Sequence, residues 1–289
     1  MNQQRETKTA YYIILICIIA AAGLIIAAIV IATTGEEETT AETETVSETA
    51  AGTTVPYYED VSVSSYDTSL FVLDENGRMT YTDDSVTYWT GIDVSYAQGT
   101  IDWAAVAADG IDFVFVRVGA RGYGESGRLI TDSYYETNIT GALAAGLSVG
   151  VYFYSQATST DEALEEALFV LELIEDFELT APIIFDWENY SDVEMRTDDV
   201  DMETATQCAI AFCDYFENLG YETGIYFNLD NGYNLFNLSE IKEYIFWVAQ
   251  HNEEYPEFYY DFSIWQYSES GTVDGISGEV DLNISFIEF

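Results

Sequence analysis

The sequence predicts an α/β fold, an irregular TIM-like β/α barrel of eight strands and about five helices. Three observations lead there. Eight short runs rich in β-branched and aromatic residues lie between positions 91 and 285. Helix-patterned stretches fill the gaps after the first five runs, and the last three runs follow one another with little helix between them. A doubly wound open sheet is the competing arrangement. A dinucleotide loop is not supported, because the glycines of "GARGYGESG" do not fall in the G-x-G-x-x-G spacing.

Taken in order, residues 1–9 carry Arg5 and Lys8, and no charge follows until Glu36. The intervening 10–34, "AYYIILICIIAAAGLIIAAIVIATT", exceeds the ~18 apolar residues that a membrane-spanning helix needs. The positive flank predicts a cytoplasmic N-terminus with everything after residue 34 outside the cell, at the cell membrane. Secretion after signal cleavage is the alternative. Residues 35–56 are rich in Thr and Glu and poor in large apolar residues, so a disordered acidic linker is expected. Residues 57–89 form a lead-in segment in which "DENG" reads as a hairpin turn.

The main domain is expected over 90–289. Its strands are read at 91–95, 113–118, 148–155, 181–188, 223–228, 246–250, 262–268 and 280–285. In "STDEALEEALFVLELIEDF", Ser159 and Glu162 have capping-box spacing, and Leu164, Ala167, Leu168, Leu171 and Ile174 share one stripe. A second helix runs from about Met202 to Leu219. Ala205, Ala209, Phe212, Phe216 and Leu219 lie on one side, and Gly220 ends it.

Composition narrows the chemistry. With 52 acidic residues against 8 basic and a net charge of −44, nothing could neutralise phosphates, so nucleic acid is excluded as a partner. The single histidine, His251, rules out a His-Glu-x-x-His zinc site and reads as a polar residue at a strand end. Cys208 and Cys213, five apart on one helix, lie too far apart to bridge and read as core residues. Neither cofactor nor metal is expected.

Chemistry should then rest on carboxylates and aromatics. In "APIIFDWEN" a buried strand ends in Asp186 and Glu188, which alternation points to one face. At the strand ends of a barrel, Asp93 and Asp281 would join them round one mouth. Tyr152, Tyr154, Trp187, Tyr226, Trp265 and Tyr267 lie at or near strand ends as well. Paired carboxylates with aromatic platforms suit a glycosidase. A helix cap or a divalent-cation site remains open for Asp186 and Glu188 on residue type alone.

Seven motifs, "GIDVSYAQGTIDW", "FVFVRVGARGYGESG", "NITGALAAGLSVGVYFYSQA", "PIIFDWE", "GIYFN", "IWQYS" and "VDLN", occur in the order seen in glycoside hydrolase family 25 lysozymes. The resemblance covers about residues 88–289. It implies a β/α barrel and N-acetylmuramidase activity, the cleavage of the β-1,4 bond between N-acetylmuramic acid and N-acetylglucosamine in peptidoglycan. By position it implies Glu188 as general acid and Asp186 as the carboxylate near the anomeric centre, acting either directly or through the substrate's acetamido group. Asp93 and Asp281 match two further acids of the family's cleft. Tyr154, Asn228, Tyr152, Trp265, Tyr267 and Trp187 are candidate sugar contacts. The expected partners are peptidoglycan glycan strands and, through the N-terminal helix, the membrane, with a monomeric catalytic domain. A catalytically inactive wall-sugar-binding protein tethered to the membrane is the alternative.

Overall fold

The computed structural model describes residues 44–46, 55–189 and 194–289, all within one compact unit, Glu44–Phe289. Eight strands close a barrel in chain order. They are β5 (Trp89–Val94), β6 (Phe113–Arg121), β8 (Ser148–Ser155), β9 (Ile183–Trp187), β10 (Thr223–Asn228), β11 (Ile245–Ala249), β12 (Ile264–Gly271) and β13 (Val280–Ser285), and β13 returns to β5. Helices α1 (Trp103–Ala108), α2 (Tyr135–Ala145), α3 (Thr160–Ile174) and α4 (Met202–Glu217) follow the first four of these strands, and the short α5 (Leu229–Asn234) and α6 (Leu238–Ile241) share the fifth connection.

The barrel is not parallel throughout. β13 runs antiparallel to both β12 and β5. Only residues 272–279 join β12 to β13, too few for the crossover that a parallel pair requires, so the chain turns back as a hairpin.

Alternation along the strands sorts the side chains. Phe113, Phe115, Ile184, Tyr226, Trp247 and Ile264 pack together as one interior cluster, while neighbours such as Val114, Phe185, Phe227 and Trp265 belong to the larger core outside it. Phe115 stacks on Trp247 at 4.7 Å between ring centroids. Room for these rings comes from glycine. A Cβ on Gly91 would fall 2.2 Å from the Phe113 ring, and one on Gly150 would fall 2.4 Å from Phe115. The aromatic layer fills the barrel and floors whatever lies above it.

One irregularity redirects a charge. The β6–β8 register shifts between Arg117 and Gly119. The extra residue reverses side-chain phase beyond it, so Arg117 lines the barrel mouth whereas Arg121 turns out towards α3. Past the bulge β6 pairs antiparallel with β7 (Leu129–Thr131), an edge strand too short to be read from the sequence.

The helices follow their capping signals. The Ser159 hydroxyl accepts from the Glu162 amide, but the Glu162 carboxylate bonds Thr158 rather than closing the reciprocal half of the box. The expected α3 stripe is rotated. Ala163, Glu166, Ala167, Val170 and Ile174 are buried, while Leu168 is exposed. Glu166 faces inward because Arg121 meets it there at 2.6 Å. On α4, Ala205, Ala209, Phe212 and Phe216 are buried as expected, together with Cys208 and Cys213, which are free thiols. Leu219 lies outside that face and is exposed.

"DENG" turns the hairpin between β3 (Phe71–Leu73) and β4 (Met79–Tyr81), with Gly77 at φ +75°. Phe71 packs edge-on against Trp265 at 5.4 Å, and Tyr66 lies tilted over Phe286 at 4.3 Å, so the segment covers the outside of β12 and β13. Within the stretch expected to be a disordered linker, β1 (Glu44–Val46) pairs antiparallel with β2 (Val55–Tyr57). The expected span at 10–34 lies outside the described residues. Among the described residues no helix is long and apolar enough to cross a membrane.

Candidate active site

Four acids reach one mouth of the barrel by three different routes. Asp93 sits near the carboxyl end of β5 and Asp186 near that of β9, and Glu188 follows one residue beyond β9. Asp281 was expected at a carboxyl end as well. It lies instead at the amino end of β13, and the antiparallel direction of that strand brings it to the same mouth, directly opposite Asp93 in register. All four line one cleft of about 280 Å³, floored by Trp247 and walled by Tyr152, Tyr154 and Tyr226. Asp93, Asp186 and Glu188 are buried.

A hydrogen-bond network orients Asp93. Its Oδ2 accepts from Gln266 Nε2 at 2.9 Å and Asn283 Nδ2 at 2.8 Å. Gln266 is held in turn, because its Oε1 accepts from the Tyr226 hydroxyl at 2.8 Å and meets His251 Nε2 at 2.8 Å. An amide oxygen can only accept, so Nε2 of His251 carries the ring proton. Trp247 Nε1 donates to Asn283 Oδ1 at 2.9 Å and sets that amide too. The Asp281 carboxyl bonds Asp93 directly, two acids sharing a proton.

The cluster retains protons. Burial pushes the Asp281 carboxyl up to about 9, helped by the charge of Asp93 and the bond to it. Burial also raises Asp93, against the pull of Asn283 and Gln266. Asp186 rises well above the usual carboxylate range through burial first, then the charges of Glu188 and Asp93, with Arg117 pulling the other way. Its Oδ1 has no hydrogen-bond partner among the described residues. Such a group is costly to keep charged without a ligand. Burial likewise raises the Tyr152 and Tyr154 hydroxyls, which stay protonated as donors.

Glu188 is held through its backbone. Buried Gln156, just past β8, donates from Nε2 to the Glu188 carbonyl at 3.1 Å. Gln156 is tied down by Thr197 Oγ1 on its Oε1 at 3.2 Å and by Arg196 Nη1 on its carbonyl at 3.2 Å. The chain entering and leaving the acid is thereby clamped to the neighbouring strand.

The expected sugar contacts divide. Tyr152 and Tyr154 line the cleft. Trp187, Trp265 and Tyr267 do not. Trp187 is fully buried outside the barrel, donating to the Ala157 carbonyl and packing on Phe236. Trp265 donates to the Gln250 carbonyl, with Phe71 against it, and Tyr267 packs on Trp265. Alternation is the reason: Asp186 and Gln266 take the inward positions of β9 and β12, so their neighbours point out. Asn228 caps α5, accepting from the Asn231 amide at 2.9 Å. The residues not anticipated are Arg117, Trp247, Gln266, Glu269 and Asn283, while His251, expected merely at a strand end, lines the cleft. The phase that sets Asp281 inward on β13 also sets Asn283 there, whereas the inward phase of β11 and β12, which places Trp247 and Gln266, is fixed only by closure of the barrel. Among the described residues no group of three or more His, Cys, Asp or Glu side chains is arranged to hold a metal ion.

Comparison with known proteins gives a consistent picture. A model of the family described as glycosyl hydrolases family 25 matches residues 92–276. The autolytic lysozyme of Clostridium acetobutylicum is 29% identical over 193 residues, covering 67% of this chain and 54% of that protein. Lysozyme M1 of Streptomyces globisporus is 27% identical over 208 residues, 67% of this chain and 66% of that protein. The chain therefore spans between half and two thirds of the length of these relatives. Among solved structures, a family 25 glycosyl hydrolase from Bacillus anthracis superposes with a TM-score of 0.59 at 21% identity, covering 72% of this chain and 93% of that one. The modular autolysin LytC of Streptococcus pneumoniae superposes with a TM-score of 0.61 at 24% identity, covering 83% and 57%. At these identities the superpositions speak for the fold.

Proposed function

The chain belongs to glycosyl hydrolases family 25, and from that premise we propose that it is a muramidase. It hydrolyses the β-1,4 bond between N-acetylmuramic acid and N-acetylglucosamine in peptidoglycan. The observation that carries this reading is the gathering of Asp93, Asp186, Glu188 and Asp281 round one cleft, in which Asp93, Asp186 and Asp281 hold protons more tightly than ordinary carboxyls.

In this reading Glu188 donates its proton to the glycosidic oxygen as the bond from the muramic C1 breaks. Positive charge then develops on that sugar. Asp186 gives up its proton to solvent before the bond breaks, at a cost set by burial and by the charges of Glu188 and Asp93, and its charge is compensated as the adjacent cation forms. Its stabilisation is therefore greater in the transition state than before it. Water completes the reaction at C1 and returns a proton to Glu188, leaving a muramic reducing end. Asp93 and Asp281 share a proton below and set the field that Asp186 feels, while Tyr152 and Tyr154 offer hydroxyls and ring faces to the sugar.

The test is digestion of purified peptidoglycan with identification of the new reducing ends. Muramic ends from the native chain, and a fall of about 10²–10⁴-fold in the Glu188→Gln variant, support the reading. Glucosaminyl ends, or equal activity in the variant, would overturn it.

The proposal extends to location. Residues 10–34 act as an uncleaved span that holds a monomeric catalytic domain on the wall side of the membrane, supported by the 25-residue uncharged run behind Arg5 and Lys8. Fractionation should find the full-length chain in membranes. A shortened soluble form in the medium would count against the span.

A further inference from the structure

We propose that a groove beside the carboxylate cleft binds the carboxylate-bearing stem peptide attached to the muramic residue, with Arg117 as its anion contact. The proposal rests on the muramidase reading and adds a requirement to it.

The groove, of about 680 Å³, shares Arg117 and Tyr154 with the cleft, so a substituent on a sugar seated at Asp186 and Glu188 passes into it directly. Its rim is open and largely apolar. Tyr96, Tyr123 and Ile130 stand 59%, 55% and 52% exposed, and the floor is the nearly bare backbone of Gly119, Ala120 and Gly122. One side is β7, which pairs only with β6 among the described residues and so leaves its outer backbone edge open to another chain. Small apolar surfaces with free backbone groups suit alanine methyls and peptide amides.

Charge singles out the same place. The described residues contain six Lys and Arg side chains, and four of them, Arg117, Arg121, Arg128 and Arg196, lie on or against the β6–β7 hairpin. Arg121 and Arg196 are spent on Glu162, Glu165 and Glu166. Arg117 differs. Its Nε and Nη2 bond Asp132 Oδ2 at 3.1 and 2.9 Å, and its guanidinium lies 5.1 Å from the Tyr96 ring centre. Its Nη1 has no hydrogen-bond partner among the described residues. Asp132 also accepts from the Tyr96 amide on Oδ2 and the Tyr134 amide on Oδ1, which fixes it in place. The free nitrogen of a fixed guanidinium beside a peptide-like groove fits a carboxylate. In a chain of net charge −44 such a site is local and specific.

The experiment measures kcat and KM of the full-length chain on soluble glycan strands with stems and on the same strands stripped by an amidase. One charge-assisted bond corresponds to a preference of about tenfold in kcat/KM for the stem-bearing strands, carried mainly by KM. That ratio should fall towards one in Arg117→Gln. It should fall also in Ile130→Glu, an exposed position where misfolding does not confuse the result. Equal efficiency of the native chain on both substrates, or a preference that survives both substitutions, overturns the proposal while leaving the muramidase reading intact. Cleavage of neither substrate overturns that reading and this proposal with it.

Discussion

Glu166 and Asp186 are both buried carboxylates beside the same barrel, and they are finished in opposite ways. Glu166 has a cation and a hydroxyl: Arg121 Nε at 2.6 Å on Oε1, and Ser155 Oγ at 2.6 Å on Oε2. Asp186 has two acids for neighbours, a raised proton affinity and an oxygen with no partner among the described residues. Burial is common to the two, so burial alone does not mark a working group. Completion does. A carboxylate whose bonds are all made within the protein ties elements together, here β6, β8 and α3. One left incomplete in a cleft keeps an oxygen free for whatever enters there. Even Glu166 is pushed up to about 7 by burial against the pull of Ser155 and Arg121, which shows how expensive the interior is for charge.

The largest expected effect breaks the incomplete side. Asp186→Asn should lower kcat by about 10³-fold, since a neutral amide cannot answer a developing cation. Its melting temperature should hold or rise, because an unsupported acid has been removed. A variant that unfolds while keeping its activity would reverse the comparison.

On the complete side the outcome is the mirror image. Arg121→Met leaves Glu166 buried without its cation and should cost about 3–5 kcal/mol in denaturant unfolding. The loss should grow as pH rises and the orphaned carboxyl is forced to ionise. Unchanged unfolding midpoints would mean that the ion pair does not hold α3 to the barrel.

A third test sharpens the boundary between the two sides. Asp281 binds its proton more tightly when folded, at about 9 against an ordinary 3.8. The stability that it contributes is therefore full below about pH 4 and is lost as pH climbs towards 9. Melting temperature should fall between pH 5 and pH 9, and Asp281→Asn should flatten that fall. A native profile that rises over this range would contradict the shared proton.

The smallest effect concerns the whole surface. From residue 91 onward 38 acidic residues face 5 basic ones. A bacterial wall is usually anionic, so moderate salt should modestly raise the rate of wall cleavage by screening repulsion. A monotonic decline with salt would argue that attraction at the Arg117 groove dominates instead.

Much of the barrel was legible in the chain. The eight strand positions, the helices after the first five strands and the hairpin at "DENG" follow from local periodicity and turn chemistry, and these act between near neighbours. Less legible was the aromatic assignment. Alternation within "IFDWE" already separates Trp187 from Asp186 and Glu188, yet Trp265 and Tyr267 lie in a strand whose inward face nothing local reveals. The bulge after Arg117 was hidden for the same reason, since a register shift exists only between two strands.

By itself, then, the sequence determined the succession of strands and helices, the local phase that sets Asp186 and Glu188 on one side, and the strongly acidic character of the chain. Only the tertiary structure decided that β13 runs backwards and carries Asp281 to Asp93, that Gln266 and Asn283 orient that pair, and that Arg121 ties α3 while Arg117 serves the cleft. Local patterns depend on side-chain size and backbone preference a few residues apart. Proton affinity and facing depend on what closure of the barrel buries beside a group, and closure joins residues nearly two hundred positions apart.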